Sequence, residues 1–221
     1  DLGFEKFMDI KVRQGGPEPS LAVIVTTIRG LKWHGGVAIN NMDSPNLEAV
    51  RKGSENLKNA LRIVNIYGLQ AVVAINRFPA DSKDEIEVVK EIAKNAGAIS
   101  VEEANGFVSG GDGMTELAAA VVEAANQPSE VKLLYEDKDS FFDKVECLAK
   151  SLYLSGNVTW GPMTKTTARR FSSNGWDFPV CMAKTHLSIS ADPKLKGAPT
   201  GHTLPIRELR ILAGARQIVA L

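Results

Sequence analysis

Three short apolar runs, each followed by a helical pattern, constrain the fold of this 221-residue chain more than any other feature. The runs are rich in valine and isoleucine and span residues 20–28, 70–75 and 98–101. Near-continuous apolar runs of this length are typical of strands that are buried on both faces of a parallel sheet. Because helices separate these strands, helical crossovers would connect them. The sequence therefore predicts an α/β fold whose first part is a parallel sheet.

Caps and helical spacing predict where the helices lie. Ser44 would cap a long helix that has Pro45 at its first position and runs to about Tyr67. Gly68 would end that helix, and residues 29–36 would form a loop. Further helices are predicted at residues 81–96, 114–125, 140–152 and 164–172, and further strands at residues 180–183, 204–212 and 217–221. The change of pattern after Pro128 predicts a first domain over 1–128 and a smaller α/β unit over 129–221.

Composition excludes several classes of partner. The net charge is zero, which argues against nucleic acid or an acidic membrane as a partner. No apolar run approaches the roughly 20 residues that a membrane helix needs. The two cysteines, Cys147 and Cys181, form no metal-ligand pattern and favour a reducing compartment such as the cytoplasm. We therefore expect small-molecule ligands and no metal held by the chain's own residues.

Two clusters of polar residues follow predicted strands. Arg29, Lys32 and His34 come after the first strand, where ligands bind in open α/β sheets. Two cations, an imidazole and the flanking glycines suit an oxyanion or a phosphate. Lys184 and Thr185 follow the strand at 180–183 in the same way. The alternative interpretations are a solvated basic loop for the first cluster and an ordinary polar turn for the second.

The loop after the second strand has the features of a nucleotide site. Asn76 is followed by Phe78 and Asp81, which is similar to the Asn-x-x-Asp motif that contacts bases in P-loop proteins, with the aspartate two positions late. An amide can bond a purine edge, and an aromatic ring can stack on the purine. The alternative is that Asn76 caps the turn before the next helix.

A glycine-rich segment precedes the helix predicted at 114–125. Gly110, Gly111 and Gly113 run into the helix N-terminus, which is a potential anion site, although glycine-rich helix entries are common. The segment 197–203 has His202 where a phosphate loop has lysine, so we interpret it as a turn. No G-x-x-x-x-G-K-[ST] sequence occurs within residues 1–221.

Several segments resemble one family when they are taken together and in order. GFEKFMDIKVR at 3–13 is similar to a family stretch GxxKFFDIKCR, with Val12 in place of cysteine. VIVTTIRGLKWHGG at 23–36 is similar to VLVATVRALKMHGG, with Gly30 and Trp33 as departures. VVAINRF at 72–78 matches the family run, GGDG at 110–113 resembles GGEG, and residues 181–190 resemble CMAKTxxSxS. The family is formate–tetrahydrofolate ligase, or formyltetrahydrofolate synthetase.

The resemblance implies a reaction and roles for particular residues. The family joins formate to tetrahydrofolate with ATP and Mg²⁺, through formyl phosphate, and gives 10-formyltetrahydrofolate; a monovalent cation is a further implied cofactor. The sheet would then be the later part of a P-loop-type nucleotide domain. The resemblance also implies that the protein forms homo-oligomers and is located in the cytoplasm or in an organelle. The implied sites are formyl phosphate on Arg29, Lys32 and His34; nucleotide at Asn76, Phe78, Asp81, Gly110, Gly111 and Gly113; and folate at Lys184, Thr185, Ser188, Ile189 and Gln217.

The missing P-loop leaves the function of the chain open at this point. In the family, the P-loop lies well before the position that matches Asp1, so we expect an internal fragment or a truncated relative of the ligase. A fragment of this kind would be inactive alone. The competing hypothesis is a non-catalytic folate-binding or scaffold module. A third hypothesis is a different ATP-dependent carboxylate ligase.

Overall fold

A computed structural model describes residues 2–16, 18–186 and 188–221, and the chain divides into two compact units. The sheet unit is Pro19–Lys132, and the composite unit combines Asp1–Glu18 with Leu133–Leu221. Residues 1–18 belong to the first domain in the division predicted from the sequence. Their contacts join them to the second instead, because Lys6 Nζ donates to the Met182 carbonyl oxygen at 2.9 Å and Met182 N donates to Glu5 Oε1 at 3.2 Å.

The described residues form short helices and strands that agree with most of the predicted positions. The helices are α1 (Leu2–Lys6), α2 (Ile28–His34), α3 (Leu47–Gly53), α4 (Glu55–Ile66), α5 (Lys83–Asn95), α6 (Gly106–Ser109), α7 (Thr115–Ala125), α8 (Phe141–Ser151) and α9 (Thr164–Ser173). The strands are β1 (Leu21–Thr26), β2 (Gln70–Asn76), β3 (Ser100–Ala104), β4 (Asn157–Trp160), β5 (Val180–Met182), β6 (Thr203–Ile206), β7 (Leu209–Leu212) and β8 (Gln217–Ala220). No described helix is both long and apolar enough to cross a membrane.

The sheet unit contains the predicted parallel sheet. Its strand order is β1-β2-β3, and both pairings are parallel, which confirms the α/β prediction. The central strand β2 is buried, as its continuous apolar run predicted. The prediction that β1 is buried on both faces was wrong: Val23 is 43% exposed and Val25 is 67% exposed. Among the described strands, β1 pairs only with β2, so it is an edge strand with one covered face.

The segment predicted as a loop after β1 is instead the helix α2. Thr27 has extended backbone angles, and its side chain accepts a hydrogen bond from Gly30 N at 2.9 Å. This is the N-cap arrangement that satisfies an otherwise unpaired backbone donor. The glycines at 30, 35 and 36 suggested a loop. The threonine cap and the burial of Ile28 and Leu31 stabilise a helix instead.

The long helix predicted from Ser44 to Tyr67 is two helices. The first begins after Asn46, whose side chain accepts from Ala49 N at 2.9 Å, and the two helices are separated at Ser54. A Cβ on Gly53 would lie 1.8 Å from the Leu31 carbonyl oxygen, so α2 and α3 approach each other closely only because this residue is glycine. Gly68, with φ of 77°, follows α4 as predicted.

The composite unit contains two small sheets. In the first sheet the order is β5-β8-β7, with β5 parallel and β7 antiparallel to β8; the second is the parallel pair β4-β6. The single strand predicted at 204–212 is therefore two strands. The chain turns at Arg207 and Glu208, whose backbone N–H groups both donate to the Leu221 carbonyl oxygen. Helices α1 and α6 and strand β4 are not among the elements predicted from the sequence.

Candidate functional site

The carboxyl ends of β1, β2 and β3 lie at one edge of the sheet unit because the three strands are parallel. Three predicted sets of residues therefore follow this edge: α2 after β1, the loop from Arg77 to Ser82 after β2, and the glycine-rich segment after β3. In parallel α/β sheets this edge is where ligands bind. We call it the carboxyl edge of the sheet unit.

Arg29 and Phe78, which were predicted in separate sets, lie side by side at this edge. The guanidinium carbon of Arg29 is 5.8 Å from the centroid of the Phe78 ring, within the range of a cation–π contact. Arg29 Nη1 is also 3.4 Å from Asp43 Oδ1, and its side chain is 42% exposed. The Arg29 cation is therefore accessible to an anion, and the flat ring beside it is 38% exposed.

Lys32 is in a different situation, because its side chain is fully buried beside a carboxylate. Its Nζ is 3.0 Å from Glu85 Oε1 and donates to the Ser44 carbonyl oxygen at 3.3 Å. Burial disfavours the charge on Glu85, but hydrogen bonds from Asn46 N, Lys32 and Ser82 outweigh burial and hold the Glu85 pKa below its ordinary value. An anion that bound Lys32 directly would have to displace Glu85.

His34 lies on the other side of α2 from Lys32, since two residues correspond to about 200° of helical rotation. It lines a cavity of about 280 Å³ together with Thr26, Thr27 and Asn56. The His34 ring packs edge-on against the Trp33 ring, with centroids 4.8 Å apart. The three residues predicted to hold formyl phosphate therefore follow the same strand but do not converge on one point.

Asp81 is buried, and its two carboxylate oxygens have different surroundings. Its Oδ2 accepts from Phe78 N at 2.8 Å, which closes the loop after Asn76. Its Oδ1 is buried with no hydrogen-bond partner among the described residues. Burial raises the Asp81 pKa above its ordinary value, although the Phe78 N–H and the Lys32 charge oppose the rise. This oxygen could accept an N–H from a ligand, as the predicted nucleotide role requires.

The glycine-rich segment is a 3-10 turn, Gly110–Met114, that leads into α7. Gly110 has a φ of 57° and a ψ of −140°, a conformation that favours glycine. A Cβ on Gly113 would lie 2.5 Å from the Asn105 carbonyl oxygen, so a close backbone approach accounts for this glycine. Gly111 has open space around it. The predicted phosphate role of the three glycines stays a prediction.

In the composite unit, Lys184 and Thr185 line a cavity of about 160 Å³ at the carboxyl ends of β5, β6 and β8. We call it the carboxyl-end cavity. Lys184 Nζ donates to the carbonyl oxygens of Thr185 and Ser188 and lies 5.0 Å from the centroid of the Tyr153 ring. Burial lowers the Lys184 pKa to about 8, against an opposing effect of Glu5.

The other predicted folate residues differ in how near they lie to Lys184. Ser188 and Ile189 are both buried, and the Ser188 hydroxyl contacts Ser190 and the Leu195 carbonyl oxygen within its own loop. Gln217 begins β8, at the end of the strand remote from the carboxyl-end cavity. Ser188 stays in contact with Lys184, which donates to its carbonyl oxygen, whereas Gln217 is separated from the rest of the predicted folate set.

A second cavity of about 680 Å³ lies at the amino ends of β5 and β8. We call it the amino-end pocket; it is lined by Arg13, Phe178, Pro179 and Arg216 among others. Arg216, which precedes Gln217, has a left-handed φ of 51°, and its guanidinium carbon is 5.6 Å from the Phe178 ring centroid. A pterin that packed against Gln217 would occupy this pocket, whereas one that met Lys184 and Thr185 would occupy the carboxyl-end cavity.

Comparison with known proteins identifies the family. Residues 1–221 match the family model for formate–tetrahydrofolate ligase. The chain belongs to this family. Relatives named formate–tetrahydrofolate ligase are 42% identical in Pelagibacter ubique (strain HTCC1062) and 44% identical in Roseiflexus sp. (strain RS-1) and Staphylococcus aureus (strain Newman). Each match covers 100% of this chain, which spans 40 to 41% of the length of these curated ligases.

Three buried polar residues that organise the candidate sites of this ligase-family chain were not predicted from its sequence. Glu85 had a visible signal, because Ser82 and Glu85 form the S-x-x-E capping box at the start of α5. Glu5 and Tyr153 carried no such signal. The carboxylate of Glu5 accepts a hydrogen bond from the Tyr153 hydroxyl at 2.9 Å, across 148 positions of sequence, so only the tertiary structure brings them together.

Proposed function

We propose that this chain supplies part of an ATP-dependent ligase that joins formate to tetrahydrofolate through formyl phosphate. The products would be 10-formyltetrahydrofolate, ADP and phosphate. The observation that carries the proposal is the match of the whole chain to the formate–tetrahydrofolate ligase family. The polar residues that follow the strand ends in both units support it, because these are the positions where α/β folds bind ligands.

Within this proposal, the residues at the carboxyl edge of the sheet unit have different roles. Arg29 is accessible, so its guanidinium can offset the negative charge of formyl phosphate. His34 can donate a hydrogen bond or a proton from the cavity beside the end of β1. Lys32 stabilises this edge from inside the unit, since its ammonium group forms an ion pair with Glu85 and donates a hydrogen bond to the Ser44 carbonyl oxygen. Phe78 and Asp81 would contact the nucleotide base by stacking and by accepting an N–H.

The residues of this chain do not by themselves fit Mg²⁺ or a triphosphate. The described residues contain no group of three or more His, Cys, Asp or Glu side chains that could hold a metal ion. Residues 1–221 also contain no P-loop lysine to hold the phosphates. We therefore assign to this chain the contacts with formate, the nucleotide base and folate, and we assign none of its residues to the metal.

A chimeric enzyme tests the proposal. This chain would replace the matching segment of the Staphylococcus aureus relative, to which it is 44% identical, and 10-formyltetrahydrofolate formation would be measured. We expect ATP- and formate-dependent turnover, and none from residues 1–221 alone. A folded chimera without turnover would contradict the proposal. Turnover by the chain alone near the typical enzyme rate of about 10 per second would show that its phosphate machinery lies within 1–221.

One observation favours a second candidate, a folate-binding module without ligase activity. Lys32, which was predicted to hold formyl phosphate, is already neutralised by Glu85. Calorimetry with tetrahydrofolate distinguishes the candidates when it is combined with the chimera assay. Binding by the chain together with an inactive, folded chimera would favour the module, whereas binding together with turnover would favour the ligase.

A further inference from the structure

A fully buried carboxyl group lies behind the carboxyl-end cavity. Glu5 lies on α1, and its side chain has no exposed surface. Its Oε2 accepts from the Tyr153 hydroxyl at 2.9 Å, and its Oε1 accepts from Met182 N at 3.2 Å. Met182 is the last residue of β5, two positions before Lys184. Because both oxygens are engaged, the carboxyl group is fixed relative to the end of the strand.

Tyr153 connects this carboxyl group to Lys184. Tyr153 is fully buried; its hydroxyl donates to Glu5, and its ring lies 5.0 Å from the Lys184 Nζ. The negative face of an aromatic ring attracts an ammonium group. The ring cannot turn away from Lys184 without breaking the hydrogen bond to Glu5. A carboxyl, a phenol and an ammonium group therefore form a row that ends at the cavity.

We propose that Glu5 and Tyr153 are positioning residues that hold the Lys184 ammonium at the carboxyl-end cavity, where it receives a carbonyl or carboxylate oxygen of the ligand. The identity of that ligand as a folate rests on the proposed function. The row of three side chains does not depend on the proposed function, because it follows from distances and burial alone. Lys184 already donates hydrogen bonds to two carbonyl oxygens of its own loop, so its ammonium group can donate to oxygen atoms at this position.

The charges around the row are consistent with this role. Burial raises the pKa of Glu5 to about 7, while the Met182 N–H, Lys6 and Tyr153 oppose the rise and Asp9 adds to it. Burial lowers the pKa of Lys184, the charge of Glu5 opposes this decrease, and the charge of Lys6 adds to it. His202 also faces this region, and its own pKa is lowered by burial and by Lys184. Charge on Glu5 therefore supports charge on Lys184.

The test measures Lys184 directly in the 221-residue chain. Its lysines would be reductively methylated with a ¹³C label, and the Lys184 signal, identified by its loss in Lys184→Arg, would be titrated by NMR. We expect Glu5→Gln to lower the Lys184 pKa by roughly 0.5–1 pH unit, because a supporting negative charge is lost. Tyr153→Phe should lower it less, because it keeps the ring and removes only the bond to Glu5. Lys6→Gln is the matched control and should raise it.

An unchanged Lys184 pKa in both Glu5→Gln and Tyr153→Phe, in chains that remain folded, would overturn the proposal. If Glu5→Gln does not fold, Tyr153→Phe decides, since it removes only one hydroxyl. Signals from lysines of the sheet unit, such as Lys90, should not move and report any general effect of the substitutions.

Tetrahydrofolate calorimetry on the same variants separates this proposal from the proposed function. We expect Tyr153→Phe to weaken binding by roughly 2- to 10-fold, the usual effect of one lost hydrogen bond. If the pKa responds as expected but the folded chimera is inactive and the wild-type chain binds no tetrahydrofolate, the proposed function fails and the positioning row stands. If the wild type binds and Tyr153→Phe changes neither the affinity nor the Lys184 pKa, the positioning role is wrong.

Discussion

Two lysines that follow strand ends, Lys32 in the sheet unit and Lys184 in the composite unit, have opposite surroundings. Lys32 is fully buried at 3.0 Å from the Glu85 carboxylate, which accepts further hydrogen bonds from Asn46 and Ser82. Lys184 is half-buried, contacts two carbonyl oxygens and an aromatic ring, and lines a cavity. The sequence suggested an anion-binding role for both. One of these lysines is neutralised by a buried carboxylate, whereas the other lines a cavity that a ligand could enter.

The largest expected effect follows from the buried pair of the sheet unit. Glu85→Leu leaves the Lys32 ammonium buried without its counter-charge, and we expect a loss of about 3–5 kcal/mol in the free energy of unfolding. Urea denaturation measures it, with amide exchange in β2 as a probe of this unit. Lys184→Met is the matched control and should change stability by less than about 1 kcal/mol.

A double substitution sharpens the same comparison. Replacing both partners, Lys32→Met with Glu85→Leu, should restore most of the loss, because no uncompensated charge remains. Equal stability losses in Glu85→Leu and Lys184→Met would contradict the contrast between the two lysines.

Glu5 predicts a pH dependence for the composite unit. Its pKa in the folded chain is about 7, above the ordinary value of 4.5, so the folded state binds its proton more tightly than the unfolded state. The contribution of Glu5 to stability should therefore be highest below about pH 4.5 and fall by about 3 kcal/mol as the pH rises to about 7. Lys184 acts in a separate window above pH 8, where its lowered pKa makes stability rise with pH.

The measurement compares wild type with Glu5→Gln in urea denaturation at pH 5 and pH 7. The variant should lose less stability than the wild type between these two values. If the two chains show the same difference, Glu5 does not titrate in this window.

A smaller effect concerns catalysis at the carboxyl edge of the sheet unit. In the chimeric ligase, we expect His34→Ala to lower kcat by at least about tenfold with little change in stability, since a positioned acid–base group typically contributes about 100-fold or more. Steady-state kinetics with formate as the varied substrate measures it. Unchanged kcat and formate KM would show that His34 is a solvated residue beside β1 and has no catalytic role.

The smallest expected effect decides between the two cavities of the composite unit. If the folate meets Lys184 and Thr185, Gln217→Trp should change tetrahydrofolate affinity by less than about twofold, because Gln217 lies at the other end of β8. Thr185→Val should weaken binding by roughly 2- to 10-fold, because Thr185 lines the cavity and the substitution removes its hydroxyl group. Calorimetry measures both.

Tighter binding in Gln217→Trp would place the pterin in the amino-end pocket instead. An added aromatic contact there is worth roughly 0.5–1.5 kcal/mol, or about 2- to 12-fold in affinity.

The sequence by itself determined the α/β class, the parallel sheet and most helix positions. Strand β2 and helix α5 illustrate why: a continuous apolar run and a capping box are local signals that the fold does not override. The family was also recognisable from ordered short motifs. Helix α2 shows the limit, because its glycines suggested a loop until the Thr27 cap and the packing of α2 against Gly53 decided otherwise.

Only the tertiary structure decided which predicted site residues line a cavity and which are neutralised inside the fold. Lys32 and His34 are two positions apart in the sequence, yet α2 directs them to opposite sides, and α5 supplies the carboxylate that neutralises one of them. The row from Glu5 through Tyr153 to Lys184 joins residues that are up to 179 positions apart. The energy of a buried charge depends on its nearest neighbours in space, and for these groups the neighbours come from distant parts of the chain.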